Sequence, residues 1–205
     1  MEVTQAHFYE PSQGHGLPHD PLKAIVAPRP VGWITTADAE GRVNLAPYSF
    51  FNAVCERPPM LAFSSMGRKD SVRNVEATGE FVWNLATRPL AEAMNETSRA
   101  APHGVNEMEL AGLEAAPSRL VRPPRVAASP ASMECKVLQV MQLRDLDGRE
   151  VDQFLVIGQV VGVHIRPEHL VDGLFDTAGA RPIARCGYLG DYAEVDHLFD
   201  MRRPR

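Results

Sequence analysis

Two neighbouring segments combine polar side chains with residues suited to a flat, phosphorylated ligand. The first, Asn44–Asn52, reads NLAPYSFFN and mixes small, aromatic and amide residues around Pro47. Because proline donates no ladder hydrogen bond, this segment is predicted to be an edge or bulged strand with unused backbone N–H and C=O groups. Such groups could meet the polar edge of a ring that the apolar side chains cover. A plain edge strand with a bulge is the alternative.

The second segment, residues 64–71, reads SSMGRKDS and leads into a predicted helix. Helix N-termini offer a phosphate free backbone N–H groups and a favourable dipole. The segment adds hydroxyls and cations on four side chains: Ser65, Arg68, Lys69 and Ser71. Asp70 is unsuited to an anion site, so we expect Asp70 or Ser71 to cap the helix. The alternative is a capped helix beside a solvated charge pair.

The two segments are joined by one predicted strand, a separation that suits a mononucleotide. No Gly-x-Gly-x-x-Gly pattern follows a strand, which argues against a dinucleotide fold. His15 and His19 are four residues apart, but the prolines and glycines around them forbid a helix, so we predict no metal site. His103 precedes Glu107 in a loop and could meet a substrate; a surface histidine is the alternative.

Composition limits the classes of protein that remain. The 205 residues suit one domain, and the formal net charge of −5 argues against nucleic-acid binding. The longest apolar run, at residues 154–163, is too short to span a bilayer, and the N-terminus lacks a signal-peptide pattern. Cys55, Cys135 and Cys186 form no Cys-x-x-Cys pair. These features predict a cytoplasmic protein without disulfides.

The chain pattern predicts an irregular arm at residues 1–21 and one domain at residues 22–205. Six β-rich runs are predicted, at Val31–Thr36, Val43–Phe51, Met60–Ser64, Phe81–Leu85, Met133–Leu143 and Phe154–Ile165. Short helices are predicted from Asp70 to Gly79, over Thr87–Glu96 with Thr87 as cap, and after Arg166. Asp147–Gly148 signals a hairpin. Because the regular strand–helix alternation of a parallel sheet is lacking, an antiparallel barrel is expected.

Several motifs together resemble the flavin reductase-like, FMN-binding split barrel family, and within it the flavoredoxin subgroup. The main ones are Arg29–Thr36, Asn44–Asn52, Lys69–Asn74 and Gly79–Leu85. The match continues through Glu107, Glu134-Cys135, Gly158–Val161, Arg185–Tyr188 and Arg203-Pro204, so it covers roughly residues 20–204. The order and spacing of these pieces are more specific than any one of them.

The resemblance implies a mainly β (α+β) fold: a six-stranded antiparallel split β-barrel with Greek-key character and short peripheral helices. It also implies a homodimer with FMN in clefts near the dimer interface. By position, the ring and ribityl group would contact Thr35, Asn44, Ala46, Pro47, Tyr48, Ser49 and Asn52. The phosphate would meet Ser65, Arg68, Lys69, Ser71 and Asn74. The family often has threonine where this chain has Ser71, and the hydroxyl is kept.

The resemblance also implies a redox activity of the bound flavin. We expect an NAD(P)H-dependent flavin reductase that transfers hydride to FMN, with a monooxygenase or another electron acceptor as partner. Hydride transfer needs no side-chain nucleophile, so no catalytic side chain is predicted. The alternatives are an electron carrier with permanently bound FMN and a flavin-binding protein without turnover. The choice between NADH and NADPH stays open.

Overall fold

The chain folds mainly into β-strands with a few short helices. The structure is a computed structural model that describes residues 6–204, so residues 1–5 of the predicted arm and residue 205 lie outside the described residues. The strands there are β1 (Arg29–Pro30), β2 (Gly32–Ala37), β3 (Val43–Tyr48), β4 (Phe51–Glu56), β5 (Pro59–Met66), β6 (Glu80–Asn84), β7 (Ala115–Ala116), β8 (Arg125–Val126), β9 (Ala131–Arg144), β10 (Glu150–Ile165), β11 (Leu170–Val171), β12 (Leu174–Phe175), β13 (Ile183–Arg185) and β14 (Tyr192–Glu194). The α-helices are α1 (Leu22–Ile25), α2 (Asp70–Thr78), α3 (Ala91–Glu96), α4 (Glu107–Leu110) and α5 (Thr177–Ala180). Short 3-10 turns lie at Pro11–Gln13, Arg88–Leu90 and Pro167–His169.

One antiparallel sheet organises the domain. Its seven strands lie in the order β3-β2-β6-β9-β10-β5-β4, and a smaller three-stranded sheet joins β1, β13 and β14. The long hairpin β9–β10 turns at Asp147–Gly148, as the sequence predicts. Because β3 and β4 lie at opposite ends of the strand order, the main sheet has two edges.

Those two edges must lie near each other. Only Ser49 and Phe50 separate β3 from β4 in the chain, so the sheet curls until its edges approach at this bend. Among the described residues no pairing joins β3 to β4, and we call this gap the split.

The mainly β, antiparallel fold with short helices is confirmed. The main sheet, however, has seven strands instead of the predicted six and is not closed, and its Greek-key character stays a prediction.

The difference in strand number comes from one predicted run. The pattern over Val43–Phe51 predicts a single extended segment, but the chain bends at Ser49–Phe50 and β4 follows. The sequence reading missed β4 because it took the whole run as one strand. Pro47 lies in β3, an edge strand, in agreement with the prediction that proline excludes a central position.

Two clusters of buried side chains stabilise the curled sheet. Trp33 belongs to one cluster and Ile34 to the other, as expected for successive residues of a strand that point to opposite faces. In the second cluster, the Phe81 ring lies against Gly158 and leaves no room for a Cβ there. This close approach explains a glycine in the middle of β10.

The helices differ from prediction at their starts. Helix α2 ends at Thr78, and its C-cap residue Gly79 has the expected left-handed conformation, with a φ of 71°. Its N-cap residue is Lys69, without a side-chain cap, so the predicted capping by Asp70 or Ser71 is wrong. The segment predicted as one helix over Thr87–Glu96 is a 3-10 turn followed by α3, and Thr87 makes no side-chain cap. The helix predicted after Arg166 is a 3-10 turn.

Candidate functional site

A buried polar network links the two predicted ligand-binding segments. The Nδ2 group of Asn44, on β3, donates a 2.8 Å hydrogen bond to Oγ of Ser71, on α2. Asn74, one helical turn later, donates a 3.0 Å hydrogen bond from Nδ2 to Oγ1 of Thr36, on β2. All four side chains are buried. The structure therefore brings Asn44, Ser71 and Asn74 together, and each already has a partner within the chain.

Tyr48 and Ser65 extend this network toward the end of β5. Ser65 is fully buried, and its hydroxyl donates a 3.0 Å hydrogen bond to the carbonyl oxygen of Gly67. Burial raises the pKa of Tyr48, although its hydroxyl is near those of Ser71 and Ser65, which lower it in part. These hydroxyls hold the end of β5 against the start of α2.

The two cations of the phosphate segment have different surroundings. The Arg68 guanidinium forms an ion pair with Glu76, with a 2.7 Å hydrogen bond from Nε. Lys69 is exposed, and within the described part of the chain it has no ion-pair partner. It lies directly before α2, where the first N–H groups of a helix lack carbonyl partners. Lys69 is therefore the cation that is free to meet an anion at this helix start.

Asp70 anchors the following loop to the start of α2. Its carboxylate accepts from Arg73 at 3.1 Å and lies 2.9 Å from Nδ1 of His103. The backbone N–H of Gly104 donates to the same carboxylate at 3.4 Å. The negative charge beside Lys69 is thus held by the loop through His103 and Gly104.

Glu107 supports β3 from its free edge. Its Oε2 accepts a 3.0 Å hydrogen bond from the backbone N–H of Leu45, which points away from β2. Burial raises the pKa of Glu107, which the Leu45 N–H offsets only in part. Glu107 is buried, so this side chain positions the Asn44–Asn52 segment and does not reach outward to a ligand.

A cleft of about 680 Å³ opens at the split. We call it the split cleft; its lining residues are Ile25–Pro30, Ser49–Asn52, Ala62, Ser64 and Leu155. Two of these, Ser49 and Asn52, are predicted ring contacts, and Asn52 is exposed. The volume lies within the range of small-molecule sites, which combine apolar walls with a few polar groups.

Arg29 is the feature of the split cleft that sequence reasoning missed as a ligand contact. Its side chain is only 6% exposed, and Nη2 donates to the carbonyl oxygen of Cys186 at 2.8 Å. Nη1 donates to the carbonyl oxygens of Lys23 and Val26. Its Nε is the one buried side-chain nitrogen or oxygen of the described residues that has no hydrogen-bond partner. A charged residue between two prolines was the available signal.

A larger cavity of about 820 Å³ lies on the other side of Ser49. We call it the C-terminal cavity; Pro47, Tyr48 and Ser49 line it together with residues that include Arg88, Asn95, Arg185 and Tyr192. Ser49 lines both spaces. The predicted ring segment therefore separates two concavities, and its residues are divided between them.

Thr35 and Ala46 lie apart from these openings. The Thr35 side chain is fully buried and accepts a 2.9 Å hydrogen bond from Nδ2 of Asn84. Ala46 is partly buried on β3, opposite Ile34 of β2. Neither residue lines the split cleft or the C-terminal cavity, so contacts from their side chains to a ligand stay predictions.

Comparison with known proteins identifies the family. The family described as "Flavin reductase like domain" matches residues 26–183, so the chain belongs to it. An uncharacterized protein of Halalkalibacterium halodurans is 36% identical, over 89% of each chain. The predicted resemblance is thereby confirmed, and a flavin-related oxidoreductase function follows from the family.

Solved structures share the fold. Nitrilotriacetate monooxygenase component B from Bacillus cereus superposes with a TM-score of 0.82 at 32% identity, covering 88% of this chain and 90% of that one. Flavoredoxin of Desulfovibrio vulgaris superposes with a TM-score of 0.76 at 20% identity, covering 86% of this chain and 91% of that one. No helix among residues 6–204 is long and apolar enough to cross a membrane. In the same range, no three His, Cys, Asp or Glu side chains are grouped to hold a metal ion.

Proposed function

We propose that this protein binds FMN in the split cleft and acts as an NAD(P)H-dependent flavin reductase. The observation that carries the proposal is a cleft with apolar walls that Arg29 lines, with a buried Nε–H that has no acceptor among the described residues. Leaving a buried donor without an acceptor costs about 1–3 kcal/mol, so a ligand that brings an acceptor is favoured there. The pyrimidine edge of a flavin carries carbonyl oxygens of that kind.

The walls of the split cleft fit a flat ring. Phe50 and Leu155 offer apolar surface, and the Arg29 guanidinium lies 5.9 Å from the centre of the Phe50 ring. Ser49 and Asn52 supply hydroxyl and amide groups at the same opening. A few polar groups among apolar walls would fix the orientation of the ring while excluding water from one face.

The phosphate would lie near the C-terminal end of β5, where the chain leads into α2. Ser64 lines the split cleft, and β5 then runs through Ser65 to Met66, shortly before Lys69 and the start of α2. Lys69 would supply a charge-assisted hydrogen bond, and the N–H groups of the first turn of α2 would supply the rest. Ser65, Ser71 and Asn74 would hold this corner in place, with Arg68 kept aside by Glu76.

The chemistry requires positioning more than acid–base catalysis. Bound FMN would accept hydride from NADH or NADPH and deliver electrons to an acceptor. The chain would bind and orient the flavin with Arg29, Asn52 and the backbone of β3. Glu107 would keep β3 in place through the N–H of Leu45. No side chain of the chain is assigned a proton-transfer role.

A homodimer and a separate acceptor protein complete the proposal. Apolar side chains around the split cleft are exposed, among them Ile25 at 71%, Val26 at 53% and Val54 at 54%. A second copy of the chain would cover them and deepen the cleft. A monooxygenase is the proposed acceptor, because a 32% identical structure is component B of nitrilotriacetate monooxygenase. We assign the protein to the cytoplasm, in keeping with its three free cysteines.

Two matched asparagine variants test the location of the flavin. Asn52 lines the split cleft and Asn95 lines the C-terminal cavity, and both are exposed. FMN affinity is measured by quenching of flavin fluorescence. Asn52→Ala should weaken FMN roughly 2- to 12-fold, the loss of one neutral hydrogen bond, and Asn95→Ala should change it less than about twofold. The reverse ranking would move the flavin to the C-terminal cavity.

The reductase activity needs its own measurement. FMN-loaded protein is mixed with NADH or NADPH under anaerobic conditions, and bleaching of the flavin absorbance is followed. At least one nucleotide should reduce the flavin within a single turnover. If neither does while FMN is bound, the reductase proposal fails and flavin binding alone remains. Analytical ultracentrifugation of the same sample tests the dimer, and a monomer that binds FMN tightly would contradict it.

A further inference from the structure

A third concavity, of about 690 Å³, lies away from the split. We call it the arginine pocket; its polar lining residues are Arg119, Arg125, Ser129, Ser132, Glu134, His164 and Arg166. Gly162 of β10 also lines it, seven residues beyond Leu155 of the split cleft. At about 3.3 Å per strand residue, the two sites are roughly 20 Å apart along β10. The arginine pocket is therefore separate from the proposed flavin site.

The floor of the arginine pocket is a carboxylate that the chain satisfies completely. Glu134 is fully buried and accepts hydrogen bonds from the backbone N–H groups of Arg119, Leu120 and Val121, at 2.8, 2.6 and 3.1 Å. It also forms a hydrogen bond with Nε2 of His164. The three N–H contacts fix the loop that presents the Arg119 side chain, and all four contacts offset the negative charge beneath the pocket.

Two arginines above that floor lack acidic partners. Arg166 pairs with Glu168 at the rim, but within the described part of the chain no acid forms an ion pair with Arg119 or Arg125. Arg125 donates from Nε and Nη2 to the carbonyl oxygen of Pro117, at 3.2 Å each, which leaves Nη1 free. Burial and the nearby Arg119 charge lower the pKa of Arg125, while Glu134 raises it in part. Two like charges are thus held close together at one opening.

We propose that the arginine pocket binds a small molecule with a phosphate or carboxylate group on an apolar or aromatic body. Paired guanidinium groups match both oxyanions in charge and geometry. Leu120, Val163 and Ile165 line the pocket with exposed apolar side chains that would contact the body of the ligand. The pocket volume suits a ligand of this size.

The balance of charge favours an anion over a cation. Three arginines line the pocket, against Glu134 as the one carboxylate among its lining residues. Because the whole chain carries a formal net charge of −5, this concentration of positive charge is local and is not a general property of the surface. An anion that bridges Arg119 and Arg125 would remove the repulsion between them.

Phenyl phosphate is the probe, and inorganic phosphate and benzoate separate the contributions of the body and the oxyanion. Binding to the full chain is measured by isothermal titration calorimetry at low ionic strength, with and without saturating FMN. Arg119→Gln removes an exposed guanidinium that makes no hydrogen bond or ion pair within the described residues, so folding should be preserved. Arg149→Gln, in the β9–β10 turn, is the matched control, since it removes the same charge elsewhere.

Phenyl phosphate should bind more tightly than inorganic phosphate, and FMN should leave its affinity unchanged. Arg119→Gln should weaken it at least about tenfold, and Arg149→Gln less than about twofold. Comparison of benzoate with phenyl phosphate shows which oxyanion the site prefers. No binding, equal losses in the two variants, or displacement of phenyl phosphate by FMN would each overturn the proposal. None of these results depends on whether the protein is a reductase.

Discussion

Buried polar groups are hydrogen-bonded differently at the split and among the paired inner strands of the main sheet, which we call the continuous side. On the continuous side, Asn84 of β6 donates to the Thr35 hydroxyl and the Trp33 carbonyl oxygen, and accepts from the Val126 N–H and the Ser132 hydroxyl. Every hydrogen-bonding position of that amide is used. At the split, Arg29 keeps one buried N–H without an acceptor.

This contrast distinguishes buried polar groups that stabilise the fold from those that can bind a ligand. A polar group that the chain satisfies fully stabilises the fold and has nothing left to offer a ligand. A polar group that the chain leaves unsatisfied, next to a cleft, favours a ligand that completes it. Asn84 and Arg29 are both buried polar residues, and only their hydrogen bonds distinguish the two roles.

The largest effect is expected on the continuous side. Asn84→Leu keeps the branched shape and the number of side-chain heavy atoms but leaves the Val126 N–H and the Ser132 hydroxyl without acceptors. The free energy of unfolding should fall by about 2–6 kcal/mol, at roughly 1–3 kcal/mol per buried donor, as measured by urea denaturation. Asn95→Leu, on the surface, should change it by less than about 0.5 kcal/mol. A loss of FMN affinity without a loss of stability would reverse the assigned roles.

The next effect concerns the two cations near the split. Lys69→Ala should weaken FMN about 10- to 150-fold, because a charge-assisted hydrogen bond is worth about 1.5–3 kcal/mol. Riboflavin, which lacks the phosphate, should bind equally well to both proteins. Arg68→Ala, whose guanidinium is held by Glu76, should change FMN affinity by less than about threefold. Equal losses for FMN and riboflavin would show that Lys69 does not meet the phosphate.

Two buried glutamates should give stability profiles of opposite sign. Glu107 has a folded-state pKa above its usual 4.5, so the wild type loses stability as pH rises from 4.5 through that pKa. Burial would raise the pKa of Glu134 too, but the hydrogen bonds from His164 and from the N–H groups of Arg119 and Leu120 outweigh it and hold the pKa below 4.5. Its contribution to stability is present above 4.5 and is lost as pH falls below that value.

Glutamine variants make this difference measurable. Urea denaturation between pH 3 and pH 8 gives the stability of each variant relative to wild type. Glu107→Gln should gain relative stability as pH rises, whereas Glu134→Gln should show its greatest deficit at neutral pH and a smaller one in acid. Each pKa unit corresponds to about 1.4 kcal/mol. Profiles of the same sign would show that burial dominates at both positions.

The smallest effect is expected on catalysis. His103 contacts Asp70 and does not line the split cleft, and Glu107 faces Leu45. His103→Ala and Glu107→Gln should therefore change the single-turnover rate of flavin reduction by a few-fold, below the roughly 10²–10⁴ typical of general acid–base catalysis. The rates are measured at saturating nicotinamide in variants with full FMN occupancy. A drop beyond about 100-fold would reveal a dedicated proton donor.

Local sequence patterns predict most of the strands but not which strands pair with one another. Alternating residues and the Asp147–Gly148 turn are enough to place the β9–β10 hairpin, because its contacts are local. The pairing of β10 with β5 joins residues about 90 positions apart, such as Leu155 and Ser64, and no local rule encodes it. The break at Ser49–Phe50 was missed because both sides of it favour extended backbone.

Local sequence patterns likewise predict some residues of the candidate site and not others. Residue types predicted Asn44 as a ring contact and Lys69 and Ser71 as phosphate contacts, and the structure joins Asn44 to Ser71 by a hydrogen bond. Spacing predicts no ligand contact for Arg29, because its placement depends on the carbonyl oxygen of Cys186, 157 residues away. A ligand contact created by long-range packing is invisible to spacing alone. The arginine pocket was missed for the same reason.

The hydrogen bond from Leu45 to Glu107 also bears on how the protein avoids aggregation. An edge strand with free N–H groups is a template for strands of other molecules. On β3, Glu107 occupies the Leu45 N–H and Pro47 has no N–H to offer, so this edge is a poor template. On β4, Oδ1 of Asn52 occupies the Ala53 N–H, but no proline lies within Phe51–Glu56. Any intermolecular strand addition should therefore begin at β4, and loss of Glu107 should open a second route through β3.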